Sequence, residues 1–170
     1  MEETITTRTS TGRLPLKNNL STQDKQGIDL AYAQAQKSYN EKGIPIGSCL
    51  INNSTGEVLG VGHNERIQKQ SAILHGEMSC LENAGRLPAK IYQNCTLYSS
   101  LSPCHMCSGA ILLYGIKRVV IGENENFMGP EKLVRDNGVD IINVHDDRCK
   151  LIMREYIKNN EQGWNEDIGE

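Results

Sequence analysis

The order of strand-like and helix-like segments limits the fold of this chain more than any other feature. Apolar runs at residues 46–52 and 57–64 flank the turn-forming stretch NSTG and predict a β-hairpin. Three later runs, at residues 95–101, 117–123 and 139–144, are separated by segments with helical periodicity. That order predicts one α/β domain, a three-layer α/β/α sandwich built on a five-stranded mixed sheet.

Capping residues and helix breakers mark the predicted helices. Ser21 and Asp24 can form a capping box at the start of the first helix, and Gly43 and Pro45 end it. Pro103 stands where the first turn of a later helix is expected. The predicted helices run from Ser21 to before Gly43, from about His75 to Gly85, from Cys104 to about Leu113, and over residues 129–138 and 146–160.

The first 20 residues differ in character from the rest of the chain. Residues 1–20 are polar and are predicted to be a disordered leader before one domain at 21–170. They hold no apolar run long enough for a signal peptide, and Glu2 and Glu3 oppose a mitochondrial presequence. The chain is therefore expected to be intracellular. The cytoplasm is the expected location, and the nucleus is kept as a second one. No run of 18 apolar residues is present, so no membrane partner is expected.

Charge and cysteine content argue against a nucleic-acid-binding protein and against a protein held together by disulfides. A net charge of −3 with scattered basic residues argues against nucleic-acid binding. Three disulfides are not expected in a chain without an export signal. Among the six cysteines, only Cys104 and Cys107 have the spacing of metal ligands. The others lie in apolar or periodic segments and are predicted to be small buried hydrophobic residues: Cys49, Cys80, Cys95 and Cys149.

A cysteine pair and one histidine form a candidate metal site. Cys104 and Cys107 share one face at the start of a predicted helix, and His75 opens another. Helix N-terminal amides favour the thiolate form that metals bind. Two sulfurs and one imidazole are three ligands for a single tetrahedral Zn²⁺, and the fourth position is left for water. This is the arrangement of a catalytic zinc rather than a structural one.

A carboxylate follows the histidine by two residues. Glu77 would lie beside the metal-bound water and could take its proton and return it to a leaving group. The combined pattern H-x-E and P-C-x-x-C is the signature of zinc deaminases, in which metal-bound hydroxide attacks an amidine-like carbon and ammonia leaves. Residues 21–170 are therefore predicted to be a zinc-dependent deaminase domain.

Two other uses of the cysteine pair are weaker. A thioredoxin-type redox pair has no need of H-x-E. A structural zinc clip requires a fourth ligand, for which Cys80 and His105 are the candidates. His105 lies inside the C-x-x-C motif and is expected to point away from the metal.

From about Asp24 to Glu170 the chain resembles the fungal cytosine deaminases that act on the free base. This resemblance implies a cytidine deaminase-like fold, one catalytic zinc per subunit, a homodimer, and hydrolysis of cytosine to uracil and ammonia in pyrimidine salvage. The closing segment is the most specific, because other deaminases with H-x-E and P-C-x-x-C lack it. The matching segments are GIPIGSCLINN, GHNERIQK, LHGEMSCLENAGRL, TLYSSLSPCHMCSGAILLYGI, GENENF, DDRC and WNEDIGE.

The resemblance also implies roles for individual residues. It assigns zinc binding to His75, Cys104 and Cys107. It assigns to Glu77 the transfer of protons between water, ring N3 and the exocyclic amine. Asp167 would accept the N1 proton, which a nucleoside lacks, so the free base would be selected. The other implied substrate contacts are the side-chain amide of Asn64, the N–H of Gly76, the carbonyl of Ser102, stacking by Phe127, closure by Trp164 and Ile168, and apolar walls from Ile46 and Leu101.

Simpler roles for three of these residues stay open. Phe127 and Trp164 are the only Phe and Trp of the chain and lie outside the predicted elements, so they can also serve only to pack a loop and the C-terminus. Asp167 can equally be a solvated charge of an acidic tail. Asn165 stands where the family pattern has phenylalanine, the segment after Phe127 is about one residue shorter, and the leader is longer. These departures bear on turnover or substrate tolerance rather than on reaction type.

Two other functions remain as alternatives. A tRNA adenosine deaminase would use the same zinc and glutamate on a flipped-out nucleotide, but it needs a basic track for phosphates, which the acidic end NEDIGE opposes. A non-catalytic zinc-binding deaminase homologue would be expected to have lost Glu77 or a ligand, and this chain retains all four. For the homodimer, the apolar segment AILLYGI is compatible with burial against a partner and equally with burial inside the fold.

Overall fold

The structure, a computed structural model, describes residues 20–170. The predicted leader lies outside the described residues except for Leu20, so its disorder and the domain boundary stay predictions. The strands are β1 (Gly47–Asn52), β2 (Val58–His63), β3 (Cys95–Ser99), β4 (Arg118–Ile121) and β5 (Asp140–Asn143). The helices are α1 (Thr22–Asn40), α2 (Arg66–Lys69), α3 (Gly76–Ala84), α4 (Ala89–Tyr92), α5 (His105–Tyr114), α6 (Glu131–Asp136), α7 (Asp147–Asn159) and α8 (Glu161–Ile168).

The five strands form one mixed sheet in the order β2-β1-β3-β4-β5. Strand β1 is antiparallel to both of its neighbours, while β3, β4 and β5 are parallel. The parallel pairs are connected through α5 and α6, as expected for strands whose connections must cross the sheet. The predicted three-layer α/β sandwich with a five-stranded mixed sheet is confirmed.

Side chains alternate between the two faces of the sheet. Leu50, Leu97, Val119 and Ile141 are paired in register across β1, β3, β4 and β5, and they pack in one apolar cluster with residues of α3, α5 and α6. The neighbouring residues of the same strands face α1 on the other side, in a second cluster. Burial on both faces explains why the central strands are continuous apolar runs.

Strand directions bring several predicted site residues to one edge of the sheet. Because β1 runs opposite to the other four strands, the residue before β1 and the residues after β2, β3 and β4 lie at the same edge. These residues are Ile46, Asn64, Leu101, Ser102 and Phe127. A third apolar cluster covers this edge, and it includes Ile46, Leu101 and Trp164.

Most predicted elements match within a few residues, and three short helices are additional. Helices α2 and α4 are single turns inside segments predicted as connections. Helix α8 lies in the tail, which carried no helix prediction. Its buried residues Trp164 and Asp167 lie three apart, and Ile168 follows four residues after the tryptophan, which is a helical spacing that could have indicated it.

The four cysteines predicted as core residues are buried, and no disulfide forms among the described residues: Cys49, Cys80, Cys95 and Cys149 are free thiols. Within residues 20–170, every helix is too short or too polar to cross a bilayer.

Candidate active site

The three predicted metal ligands meet where two helices begin. His75 is the N-cap of α3, Cys104 is the N-cap of α5, and Cys107 lies in the first turn of α5. One nitrogen and two sulfur atoms of these residues all lie within 4.8 Å of one another. The His75 Nδ1 atom is 3.5 Å from Cys104 Sγ, while its Nε2 atom is 3.6 Å from Asp167 Oδ1.

The electrostatics of the cluster favour a thiolate. The hydrogen bond with Cys107 lowers the pKa of Cys104 to about 4, although burial opposes this change. The same hydrogen bond, together with burial, raises the pKa of Cys107 well above its ordinary value. Burial lowers the pKa of His75, but its hydrogen bond with Cys104 and the charge of Asp167 outweigh burial, so the net pKa is raised.

The donor set fits a zinc ion. Zinc binds sulfur at about 2.3 Å and nitrogen at about 2.0 Å, so two ligand atoms of one tetrahedral ion lie roughly 3.5 Å apart. Both thiols are free, and the 3.5 Å separation of Sγ and Nδ1 agrees with that value. Among residues 20–170, neither candidate for a fourth ligand joins the group: Cys80 donates to the Gly60 carbonyl, and His105 is exposed. The cluster thus offers three protein ligands, as catalytic zinc sites do.

Glu77 is buried beside the cluster. Its side chain is 3 % exposed, and it accepts hydrogen bonds from Ser99 Oγ at 2.9 Å and from Cys107 Sγ at 3.3 Å. Burial raises the pKa of Glu77, and the negative charge of Cys104 raises it further. A carboxyl group with a raised pKa can both accept and donate a proton near neutral pH.

A small cavity lies over the cluster and Glu77, with a volume of about 20 Å³. This is room for about one water molecule. The lining residues come from both helix starts, from loops at the sheet edge and from α8. They are Ile46, His75, Glu77, Leu101, Ser102, Cys104, Phe127, Trp164, Asp167 and Ile168.

Aromatic and apolar side chains form one wall of this cavity. Phe127 and Trp164 meet edge to face, with ring centroids 6.0 Å apart. Trp164 is 5 % exposed and packs with Ile46 and Leu101, while Ile168 lies at the border of that cluster. Side chains of the sheet edge and of α8 thus form one continuous apolar wall.

Two predicted contacts, Asn64 and Gly76, adjoin the cavity without lining it. The Asn64 amide is used at both ends, because Nδ2 donates to Asp167 Oδ1 at 3.2 Å and Oδ1 accepts from the Arg66 N–H at 3.0 Å. Gly76 lies between His75 and Glu77, and a Cβ atom there would come within 3.0 Å of the Ile46 carbonyl oxygen. The absence of a side chain lets α3 begin against the sheet edge.

The structure also shows three polar residues at the site that the sequence did not reveal. Ser99 donates to Glu77, and Glu131 accepts a hydrogen bond from Ser102 Oγ at 2.8 Å. Arg66 pairs with Asp167 at 2.9 Å. The position of Arg66, two residues after Asn64, gives no local signal, because its partner is 101 residues away.

Comparisons with known proteins agree with this geometry. Residues 21–123 match the family described as the cytidine and deoxycytidylate deaminase zinc-binding region, a range that contains all three ligands and Glu77. The chain is 65 % identical over 147 residues to a cytosine deaminase from Candida albicans. The matched region covers 86 % of this chain and 97 % of the relative.

More distant relatives share the domain. A tRNA-specific adenosine deaminase from Streptococcus pyogenes is 37 % identical over 105 residues, covering 61 % of this chain and 65 % of its own. A solved guanine deaminase from Nitrosomonas europaea has a TM-score of 0.60 at 21 % identity and covers 79 % of this chain and 82 % of its own. The fold is thus shared by deaminases with different substrates.

Proposed function

The chain belongs to the cytidine and deoxycytidylate deaminase family, and from that premise we propose that it is a zinc-dependent hydrolase that converts free cytosine and water to uracil and ammonia. The observation that carries the proposal is the cavity, which joins the His75, Cys104 and Cys107 cluster to two buried carboxylates. One carboxylate, Glu77, suits proton transfer. The other, Asp167, suits recognition of a ring N–H.

His75, Cys104 and Cys107 would hold the zinc ion, which supplies Lewis-acid activation of water for attack on the amidine carbon C4. Glu77 takes a proton from the attacking water and delivers it to ring N3. It then takes the proton of the new C4 hydroxyl and passes it to the amine, so that the C4–N bond breaks, ammonia leaves and C4 becomes the carbonyl of uracil. Its hydrogen bond from Ser99 fixes the carboxylate during these transfers.

Other residues orient the base. The Ser102 carbonyl accepts from the exocyclic amine, and the Ser102 hydroxyl is held by Glu131. The second N–H of the Asn64 amide, which is not needed for the bond to Asp167, and the N–H of Gly76 provide further polar contacts. Phe127 and Trp164 pack on the ring, and the remaining apolar walls are Ile46, Leu101 and Ile168. A base is larger than the 20 Å³ cavity, so lining side chains, such as those of α8 or Phe127, have to move to admit it.

The position of Asp167 favours free cytosine over a nucleotide in RNA as the substrate. A pyrimidine attached to ribose has no N1 proton, and its sugar would have to occupy the place of the buried carboxylate. A site built for such a hydrogen bond rejects an analogue without it by about 10⁴-fold. The acidic α8 beside the cavity also opposes a polyanion. The non-catalytic alternative is disfavoured because Glu77 and all three ligands are present.

The direct test is ammonia release from cytosine, cytidine and an anticodon stem-loop, with zinc content measured on the same samples. Turnover of cytosine alone, with about one zinc per chain, is expected. Reaction of adenosine in the stem-loop without reaction of cytosine would refute the substrate assignment.

The homodimer is part of this proposal. Leu113 and Tyr114 at the end of α5 are 77 % and 40 % exposed, beside a surface groove of about 790 Å³ between α3, α4 and α5. A second copy of the chain would cover these apolar side chains. The cytoplasmic and nuclear location stays a prediction, which fluorescence microscopy of the tagged chain can check.

A further inference from the structure

Arg66 connects the C-terminal helix to the sheet edge. It is the first residue of α2, and its Nη1 atom donates to Asp167 Oδ1 at 2.9 Å and to the Glu166 carbonyl at 3.2 Å. Its Nε atom donates to the Ser71 carbonyl at 3.4 Å. One guanidinium thus joins α8 to the loop that follows α2, and its planar fork suits several acceptors at once.

Arg66 and Asn64 donate to the same oxygen of the Asp167 carboxylate. The hydrogen bonds that described residues donate to Asp167 all end on Oδ1, from Arg66 at 2.9 Å and from Asn64 at 3.2 Å. The Nε2 atom of His75 lies 3.6 Å from the same oxygen. The backbone N–H of Arg66 holds Asn64 Oδ1 at 3.0 Å, which turns the amide nitrogen toward Asp167.

We propose that Arg66 is a positioning residue for recognition of the base: it dedicates Oδ1 of Asp167 to the protein and presents Oδ2 to the ring N1–H. This inference rests on the proposed function, because it assumes a ligand with that N–H. Arg66 need not touch the base. Its contribution passes through Asp167 and through the position of α8.

The test is a double-substitution cycle on the full-length zinc enzyme with cytosine as substrate. Arg66→Met should raise KM about 10- to 100-fold, the range for loss of a charged hydrogen bond. The value of kcat should change little, because the N1–H contact exists before and during the reaction. When Asp167→Asn is already present, Arg66→Met should raise KM by a much smaller factor than in the wild-type enzyme, since the charged partner is gone and the bond to the Glu166 carbonyl is what remains for Arg66 to lose on α8.

Matched variants separate positioning from a general structural effect. Lys69→Met removes another cation from α2, one that pairs with Glu65 rather than with α8, and should leave KM and kcat at wild-type values. Arg66→Lys keeps the charge without the fork and should raise KM by an intermediate factor. If Arg66→Met does not fold, Arg66→Lys alone decides.

Several results would overturn the inference: an unchanged KM in Arg66→Lys and Arg66→Met, or an equal KM increase with and without Asp167→Asn. Failure of the proposed function looks different, because then the wild-type enzyme itself does not release ammonia from cytosine.

Discussion

Glu77 lies beside the three metal ligands without being one of them, so its part in catalysis can be tested separately from metal binding. The side chain is buried and is held by Ser99 and Cys107, yet it is not among the three ligands. A residue in this position can be changed without removing a metal donor.

We therefore expect Glu77→Gln to retain zinc and to lose turnover by about 10²–10⁴-fold, the usual contribution of a general acid–base group. Ammonia release and zinc content of the same preparation are the measurements. Ser79→Ala, a change at a buried residue of the same helix that bonds to Glu65, is the control and should keep most activity. Turnover of Glu77→Gln at the wild-type rate would remove this residue from the mechanism.

Among the helices and strands, a partly buried ion pair connects the start of α1 to the start of β4. Both carboxylate oxygens of Asp24 accept from Arg118, at 2.6 and 2.8 Å, and Tyr98 also donates to this carboxylate at 2.8 Å. Burial raises the pKa of Asp24, but the hydrogen bonds from Arg118 and Tyr98 outweigh it, so the net pKa lies below the ordinary 3.8.

This pKa shift predicts a pH dependence of stability. Because the folded pKa of Asp24 is depressed, its contribution is complete above the unfolded value near 3.8 and is lost as the pH falls through the folded value. Wild-type protein should exceed Asp24→Asn in free energy of unfolding at pH 6, and the difference should shrink below about pH 4. Urea denaturation from pH 3 to pH 7 measures it. If the difference in free energy of unfolding stays constant over this range, the ionised form of Asp24 does not stabilise the contact between α1 and β4.

Helix α8 contributes to the cavity more than to the sheet core. Trp164 belongs to the cluster at the sheet edge, whereas the two clusters on the sheet faces contain no residue of α8. Truncation after Gly163 should therefore abolish most cytosine turnover, since Trp164, Asp167 and Ile168 are removed.

The truncated protein should keep its fold and its zinc, as judged by circular dichroism and metal analysis. Removal of Glu170 alone serves as the matched control and should leave turnover intact. Normal activity after truncation at Gly163 would exclude Trp164 and Asp167 from the site.

At the scale of the whole molecule, the exposed end of α5 is the place where a second copy is expected. Leu113→Glu puts a charge on this apolar surface and should convert the proposed dimer to a monomer in light scattering after gel filtration. Leu151→Glu on α7 is the control, because Leu151 is 59 % exposed and lies on another helix. Its oligomeric state should not change. A wild-type chain that is already monomeric would refute the dimer.

The sequence alone determined the alternation of elements and the group of residues around the metal. Period-2 and 3.6-residue patterns reflect local geometry and burial, so strands such as 95–99 and the long helices could be found within a few residues. The spacing of Cys104 and Cys107 fits a single helical turn, and Glu77 follows His75 in the first turn of α3. These relations are local and are therefore visible in the chain.

Which distant side chains meet depends on how the helices and strands pack together. Helix α8 forms where Trp164 and Asp167 can be buried over the cavity, and Arg66 reaches Asp167 across 101 residues of sequence. The pairing of Ser99 with Glu77 likewise depends on how α3 packs against β3. The direction of each strand fixes which loops share an edge of the sheet, and no local pattern of charge or periodicity records that alignment.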